Sequence, residues 1–118
     1  MALSTNIANL TVTRGDTLIH RIVVKNTDET VKDITGATVR YTLRERTYDG
    51  TQVLQKIVGN GVSLTTPASG ILDVTLSSAD TATLSPSFTY AYDCELTLSG
   101  QVQTVQSGVI VIIGDVSQ

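Results

Sequence analysis

Few residues of this 118-residue chain are of a type that does chemistry: one His, one Cys and a scattering of carboxylates. His20 alternates with Leu18 and Ile22, which puts it on the apolar face of a strand, where no nucleophile is in evidence for it to serve as a base. The lone Cys94 excludes a cysteine pair, a Cys-rich zinc site and a disulfide framework. Ser and Thr are plentiful, yet no Gly-x-Ser-x-Gly elbow occurs. Asp73, Asp80, Asp93 and Asp115 fall in separate strands and loops, without the dense oxygen-ligand spacing of a calcium loop, so no metal is expected. Arg14-Gly15-Asp16 spells an adhesion tripeptide whose guanidinium and carboxylate could reach an integrin and its metal. A structural turn explains it more simply, with Gly at positive φ, Asp capping the turn and Arg at a strand end. Asn9-Leu10-Thr11 is a formal glycosylation acceptor, but it lies inside an expected strand. These residues point to no catalytic site and no cofactor.

Composition agrees. The net charge is −3, from 8 basic and 11 acidic residues with no block of one sign, which argues against a nucleic-acid partner. The longest apolar run, residues 109–113, is a strand's length and far short of the roughly 18 residues that cross a bilayer, so no membrane association is expected. The N-terminus, MALSTNIANL, has neither the charge nor the apolar stretch of a secretion signal. Nineteen Thr and many Val, with little Lys or Glu, favour strands. The length suits a single domain over 1–118, with 1–6 and 115–118 as loose ends.

The elements that must position these residues follow from period-2 alternation broken by turn signals. Strands are expected over 7–13, 17–25, 37–46, 52–58, 62–66, 71–76, 88–98 and 101–113. Tyr48-Asp49-Gly50-Thr51 and Ser99-Gly100 are hairpin turns. A short helical turn within 77–84, capped by Ser78 and ended by Pro86, interrupts the strands. Gly108 is expected to mark a bulge.

The segment from Asp80-Thr81-Ala82 to Tyr92-Asp93-Cys94 matches an immunoglobulin pattern: a short turn before strand F, then Tyr two residues before a core Cys. The partner Cys of strand B is absent, with Ile22 or Val24 at that level, and Tyr41 is available for the place of the usual Trp. The expected fold is an all-β, Ig-like, two-sheet antiparallel sandwich of about seven to nine strands with one helical turn before strand F. Strands 37–46 and 88–98 as neighbours put Arg40 and Arg44 on one outer face with Asp93 and Glu95, a charged face of modest energetic value.

One feature exceeds what an isolated sandwich needs. Residues 109–113 are apolar on both faces, and so is the strand over 17–25, where Ile19 and Val23 oppose Leu18, Ile22 and Val24. A sandwich strand needs one apolar face, so Ile19, Val23, Val109, Val111 and Ile113 are candidates for an interface. The plainer reading is that β-branched residues are also used outside for strand propensity.

The order of segments carries a resemblance. "TVTRGDTLIHRIVV", "DITGATVRYTLRER", "VLQKIV", "SGILDVTLSSADTATL" and "YAYDCELTLSGQVQTVQSGVIVIIGDVS" resemble small structural proteins and domains of tailed bacteriophages and prophages. The resemblance rests on Gly15-Asp16-Thr17, Asp33 to Ala37, Leu43-Arg44, Thr81 to Leu84, Tyr90 to Asp93 and Gly100 to Thr104. It implies an Ig-like virion module of the baseplate, tail-fibre or head-decoration kind, without catalytic residues. Where family members continue into receptor-binding regions, this chain ends soon after its last apolar strand. A stand-alone component is therefore expected, assembled in the host cytoplasm and docked in the virion on other virion proteins and on copies of itself. The alternative is a carbohydrate-binding or adhesion module contacting host glycan. Such sites expose aromatics, and of four Tyr and one Phe only Tyr48 is expected on a loop.

Overall fold

Apolar–polar alternation punctuated by glycine sets the strands. The structure, a computed structural model, describes residues 3–47 and 50–114. Along the chain these form β1 (Asn6–Ile7), β2 (Leu10–Thr13), β3 (Leu18–Val23), β4 (Thr38–Glu45), β5 (Gln52–Val58), β6 (Gly61–Thr66), β7 (Ile71–Leu76), α1 (Ser78–Ala82), β8 (Thr89–Leu98) and β9 (Gln101–Ile113). The chain is mostly β, and its strands make one curled sheet. Hydrogen bonding runs in the order β1-β9-β8-β4-β5-β6-β7-β3, with β2 also on β9.

The sheet is mixed, which corrects the expectation of antiparallel pairing throughout. β1 and β2 run parallel to β9. β5 and β6 are parallel over two pairs only, Ile57 with Gly61 and Val58 with Val62. The cause of the second is local. Gly59 and Gly61 adopt φ of 88° and 95°, a conformation that costs glycine little, and the chain leaves the corner beside the strand it has just ended. The cause of the first is a crossing. Leu3 pairs with Asn26 and Ser4 N–H donates to Lys25 O at 2.8 Å, close to β3, before the chain passes over to β9. The N-terminal segment thus touches both ends of the strand order.

Residues 3–6 are therefore held, contrary to the loose end expected there. The Thr5 hydroxyl donates to Thr104 O at 2.7 Å. The Gln103 amide accepts from Leu3 N–H at 3.2 Å and donates to Leu3 O. Residues 1–2 and 115–118, the remainder of the expected loose ends, lie outside the described residues, as do Tyr48 and Asp49 of the expected turn.

The strand expected over 7–13 is divided, and Gly108 explains the division. A Cβ on Gly108 would lie 2.0 Å from Ala8 O, so only glycine lets the N-terminal segment come this close. Tyr92 Oη donates to that same Ala8 O at 2.6 Å, and Val109 N–H donates to Asn9 Oδ1 at 3.2 Å. The bulge expected at Gly108 lies instead at Val105: Cys94 pairs with Gln106, but Glu95 pairs with Thr104.

Curling brings β3 against β4, β8 and β9. Ile22, Tyr41, Leu43, Tyr92, Leu96 and Ile110 are fully buried there. Burying each Ile or Leu contributes about 1.5–3 kcal/mol. α1 is capped by Ser77 rather than the expected Ser78. Ser77 Oγ accepts from Asp80 N–H at 3.1 Å, and Asp80 Oδ2 accepts from Ser77 N–H at 2.9 Å. Beyond α1, Ser85 N–H donates to Tyr90 Oη at 2.7 Å, fixing the entry into β8.

Candidate functional site

The Arg14-Gly15-Asp16 turn is committed to α1. Arg14 Nε–H is shared between Ala82 O and Leu84 O at 3.1 and 3.2 Å, so the guanidinium meets carbonyls left over at the helix end. Gly15 N–H donates to Thr81 Oγ1 at 3.0 Å, and that hydroxyl donates to Asp16 O at 2.7 Å. Thr81 is fully buried. The tripeptide joins the first turn to the helix, and its Arg is turned inward to do so.

His20 stands at the centre of a buried polar cluster that links four strands and the N-terminal segment. Its rings meet those of Tyr41 and Tyr92 edge-on, with centroids 5.8 and 5.5 Å away, while the two tyrosines stack on each other at 5.2 Å. Proton bookkeeping assigns the tautomer. Tyr92 gives its hydroxyl proton to Ala8 O and receives from Gln106 Nε2 at 3.4 Å. The other amide proton of Gln106 meets His20 Nε2 at 2.8 Å, so that nitrogen is the bare one. His20 therefore carries its proton on Nδ1 and donates it to Tyr41 Oη at 3.0 Å. Burial lowers the His20 pKa below its usual 6.5 and keeps the ring neutral. Burial likewise raises that of Tyr41. Every partner is internal, and the cluster fixes how β3 sits against β9.

Cys94, beside this cluster, is fully buried, and burial, aided by Asp93 and Glu95, pushes its thiol up to about 12. A thiol so protonated is neither a nucleophile nor a ready ligand. Asp73, Asp80 and Asp93 lie apart, and among the described residues no group of three or more His, Cys, Asp or Glu could hold a metal.

The five apolar residues singled out for an interface fall into two separate groups. Ile19, 64% exposed, and the half-buried Val23 lie on the outer face of β3, opposite Thr75 and Ile71 of β7. Val109, half-buried, and Val111 and Ile113, 42% and 50% exposed, line the outer face of β9. Sequence reading missed Ile7, at 78% the most exposed large apolar residue among the described residues, which pairs with Ser107 beside that same stripe. Nothing in the alternation around Ile7 marks it, because its outward position follows from the parallel pairing of β1 with β9.

The charged outer face assembles on β4 and β8. Arg40 lies directly opposite Glu95, and Arg44 is diagonal to Asp93. Desolvation and then Glu95 raise the Asp93 pKa, with Arg44 pulling the other way. A shallow cavity of about 220 Å³ opens on this face between Arg40, Glu95, Thr97, Ile57 and Val58. The close ion pairs among the described residues are elsewhere. Arg21 grips Asp73 through Nε–Oδ1 at 2.9 Å and Nη2–Oδ2 at 3.1 Å. Lys56 Nζ reaches Asp80 at 2.8 Å, its stem lying where a Cβ on Gly61 would be. Neither pair was legible, because each depends on the strand register.

Among the described residues, aromatic side chains offer little platform. Tyr41, Tyr90 and Tyr92 are buried, and the Arg46 guanidinium covers Phe88 at 4.4 Å from its ring centre. No helix among the described residues is long and apolar enough to cross a membrane. No known family model matches the sequence, and no curated protein matches it.

Proposed function

We propose that this chain is a non-enzymatic structural protein of a tailed-phage virion, an Ig-like sandwich that docks on neighbouring subunits of the tail, baseplate or head. The sandwich reading takes β2, β9, β8, β4 and β5 as one sheet and β6, β7 and β3 as the other. Three features support it. The two groups join through only two residue pairs at the β5–β6 corner. His20 of β3 bonds to Gln106 of β9 across the core. The Ser85–Tyr90 bond reproduces the backbone tie of a tyrosine corner at the start of strand F. Here the tie is made four residues before Cys94, while Tyr92, at the usual spacing, holds the N-terminal segment instead.

The observation that carries docking is the outer face of β9. Val111 and Ile113 stand exposed, with Ile7 on the neighbouring strand, a stripe that water serves poorly and another virion protein would cover. Mass spectrometry of purified virions tests the assignment. The chain is expected in the particle, and Val111→Asp is expected to reduce its incorporation. Absence from the finished particle would overturn the proposal in favour of an assembly chaperone. Specific binding on a glycan array, lost on Tyr48→Ala, would point to the carbohydrate-binding alternative.

A further inference from the structure

β3 offers a second kind of contact, through its backbone. Val24 N–H donates to Gly70 O at 2.8 Å on the β7 side, while Lys25 O accepts Ser4 N–H on the other. The β3–β7 register has no shift, so this alternation extends back along the strand. Leu18, His20 and Ile22 bond to β7, and Ile19, Arg21 and Val23 turn their N–H and C=O groups to the free edge. Among the described residues nothing pairs with them.

Native sheet edges are usually guarded by shortness, bulges or projecting charge. β2 is four residues long. β1, at the opposite end of the strand order, is two residues long. β3 is six residues in unbroken register, and its one charge is turned aside. Asp73, on the β7 side, draws the Arg21 guanidinium away from the free edge, and the Thr65 hydroxyl fixes Asp73 Oδ2 at 2.7 Å.

We infer that this edge pairs antiparallel with β3 of a second copy of the chain, with Arg21 on the two-fold axis. Three outward residues on each strand then exchange about six backbone hydrogen bonds. Each Ile19 lies opposite Val23 of the partner subunit, which covers the exposed side chain. The order apolar–cation–apolar is symmetric about Arg21, so the strand complements itself in the isologous manner of a C2 interface. Asp73 removes the charge conflict on the axis. Two bare guanidinium groups would repel across the axis, but each is drawn back to its own carboxylate. The choice of Ile19 and Val23 as contacts rests on the docking reading above, whereas the open edge stands independently of it.

The purified chain tests this directly. Sedimentation equilibrium is expected to show a dimer, and in that dimer the amides of Ile19, Arg21 and Val23 are expected to be protected from hydrogen exchange in a concentration-dependent way. Arg21→Cys places two thiols across the axis, on Cα atoms about 5.5 Å apart, and mild oxidation should yield a covalent dimer. Thr75→Cys, one strand inward on the same face, should yield none. Ile19→Lys, at a solvent-facing position, should raise the dissociation constant about tenfold. A wild-type chain that is monomeric at every concentration, with these three amides exchanging freely, overturns the inference. So does a dimer in which Arg21→Cys never cross-links. Either failure leaves the virion assignment standing, and absence from virions with the dimer intact breaks only that assignment.

Discussion

His20 and Arg21 are neighbours in sequence and opposites in environment. The imidazole faces inward, and the fold supplies each of its partners: Tyr41 on one nitrogen, Gln106 on the other. The guanidinium faces outward, and a single carboxylate holds it while most of the group stays in water. A buried polar atom that loses its partner retains the full cost of desolvation, whereas an exposed one is compensated by solvent. Equal-looking hydrogen bonds one residue apart should therefore differ sharply in energetic weight.

The sharpest way to break that contrast is to remove a ring that the inner cluster is built on. Tyr41→Ala is expected to destabilise by about 3–5 kcal/mol in denaturant titration, through a large cavity and an unpaired His20 Nδ1–H. A smaller loss, about 1–3 kcal/mol, is expected for Gln106→Leu, which keeps the volume but strips His20 Nε2 and Tyr92 Oη of a donor. Acid should act on the same residue. Because the folded pKa of His20 lies below 6.5, the unfolded chain takes up the proton first. The contribution is complete above pH 6.5 and is lost as pH falls through the folded value. Melting temperature should thus drop as pH falls below 6.5, and His20→Gln should flatten that part of the curve. On the outer side the effects should shrink. Arg40→Ala, opposite Glu95, is expected to change stability by about 0.5 kcal/mol or less. A loss as large as that of Gln106→Leu would show that the two environments are not so different.

The same contrast sorts what could be read from the sequence. Strands over 52–58, 71–76 and 101–113 have the expected bounds, because local signals end them: a glycine after the first and last, and the Ser77 helix cap after the second. Alternation also put His20 inward and Ile19 outward, since side-chain facing is a local property. Partners are not local. Gln106 went unremarked because nothing near it announces that His20 will arrive from 86 residues away. The Arg21–Asp73 pair was equally hidden, as it depends on which residues of β3 and β7 face each other. Direction of pairing was misjudged for a related reason. Gly59 and Gly61 signalled a turn without revealing that the chain would leave the corner parallel to its arrival. Gly108 was read as a bulge because sequence alone cannot distinguish a glycine that bends its own strand from one that makes room for another.

The pairing of β2 with β9 also bears on how the molecule is made. Asn9 and Val109 meet across a hundred residues, so the early strand leaves the ribosome with its own sheet partner still unsynthesised. Until β9 emerges, β8 lacks one neighbour and Ala8 O has no Gly108 to rest on. Closure must wait for β9, and the long loops it spans make it slow. A nascent chain halted before β9 would present open strand edges to every other copy in the cell, and crowded synthesis is where this small protein is most exposed to mispairing.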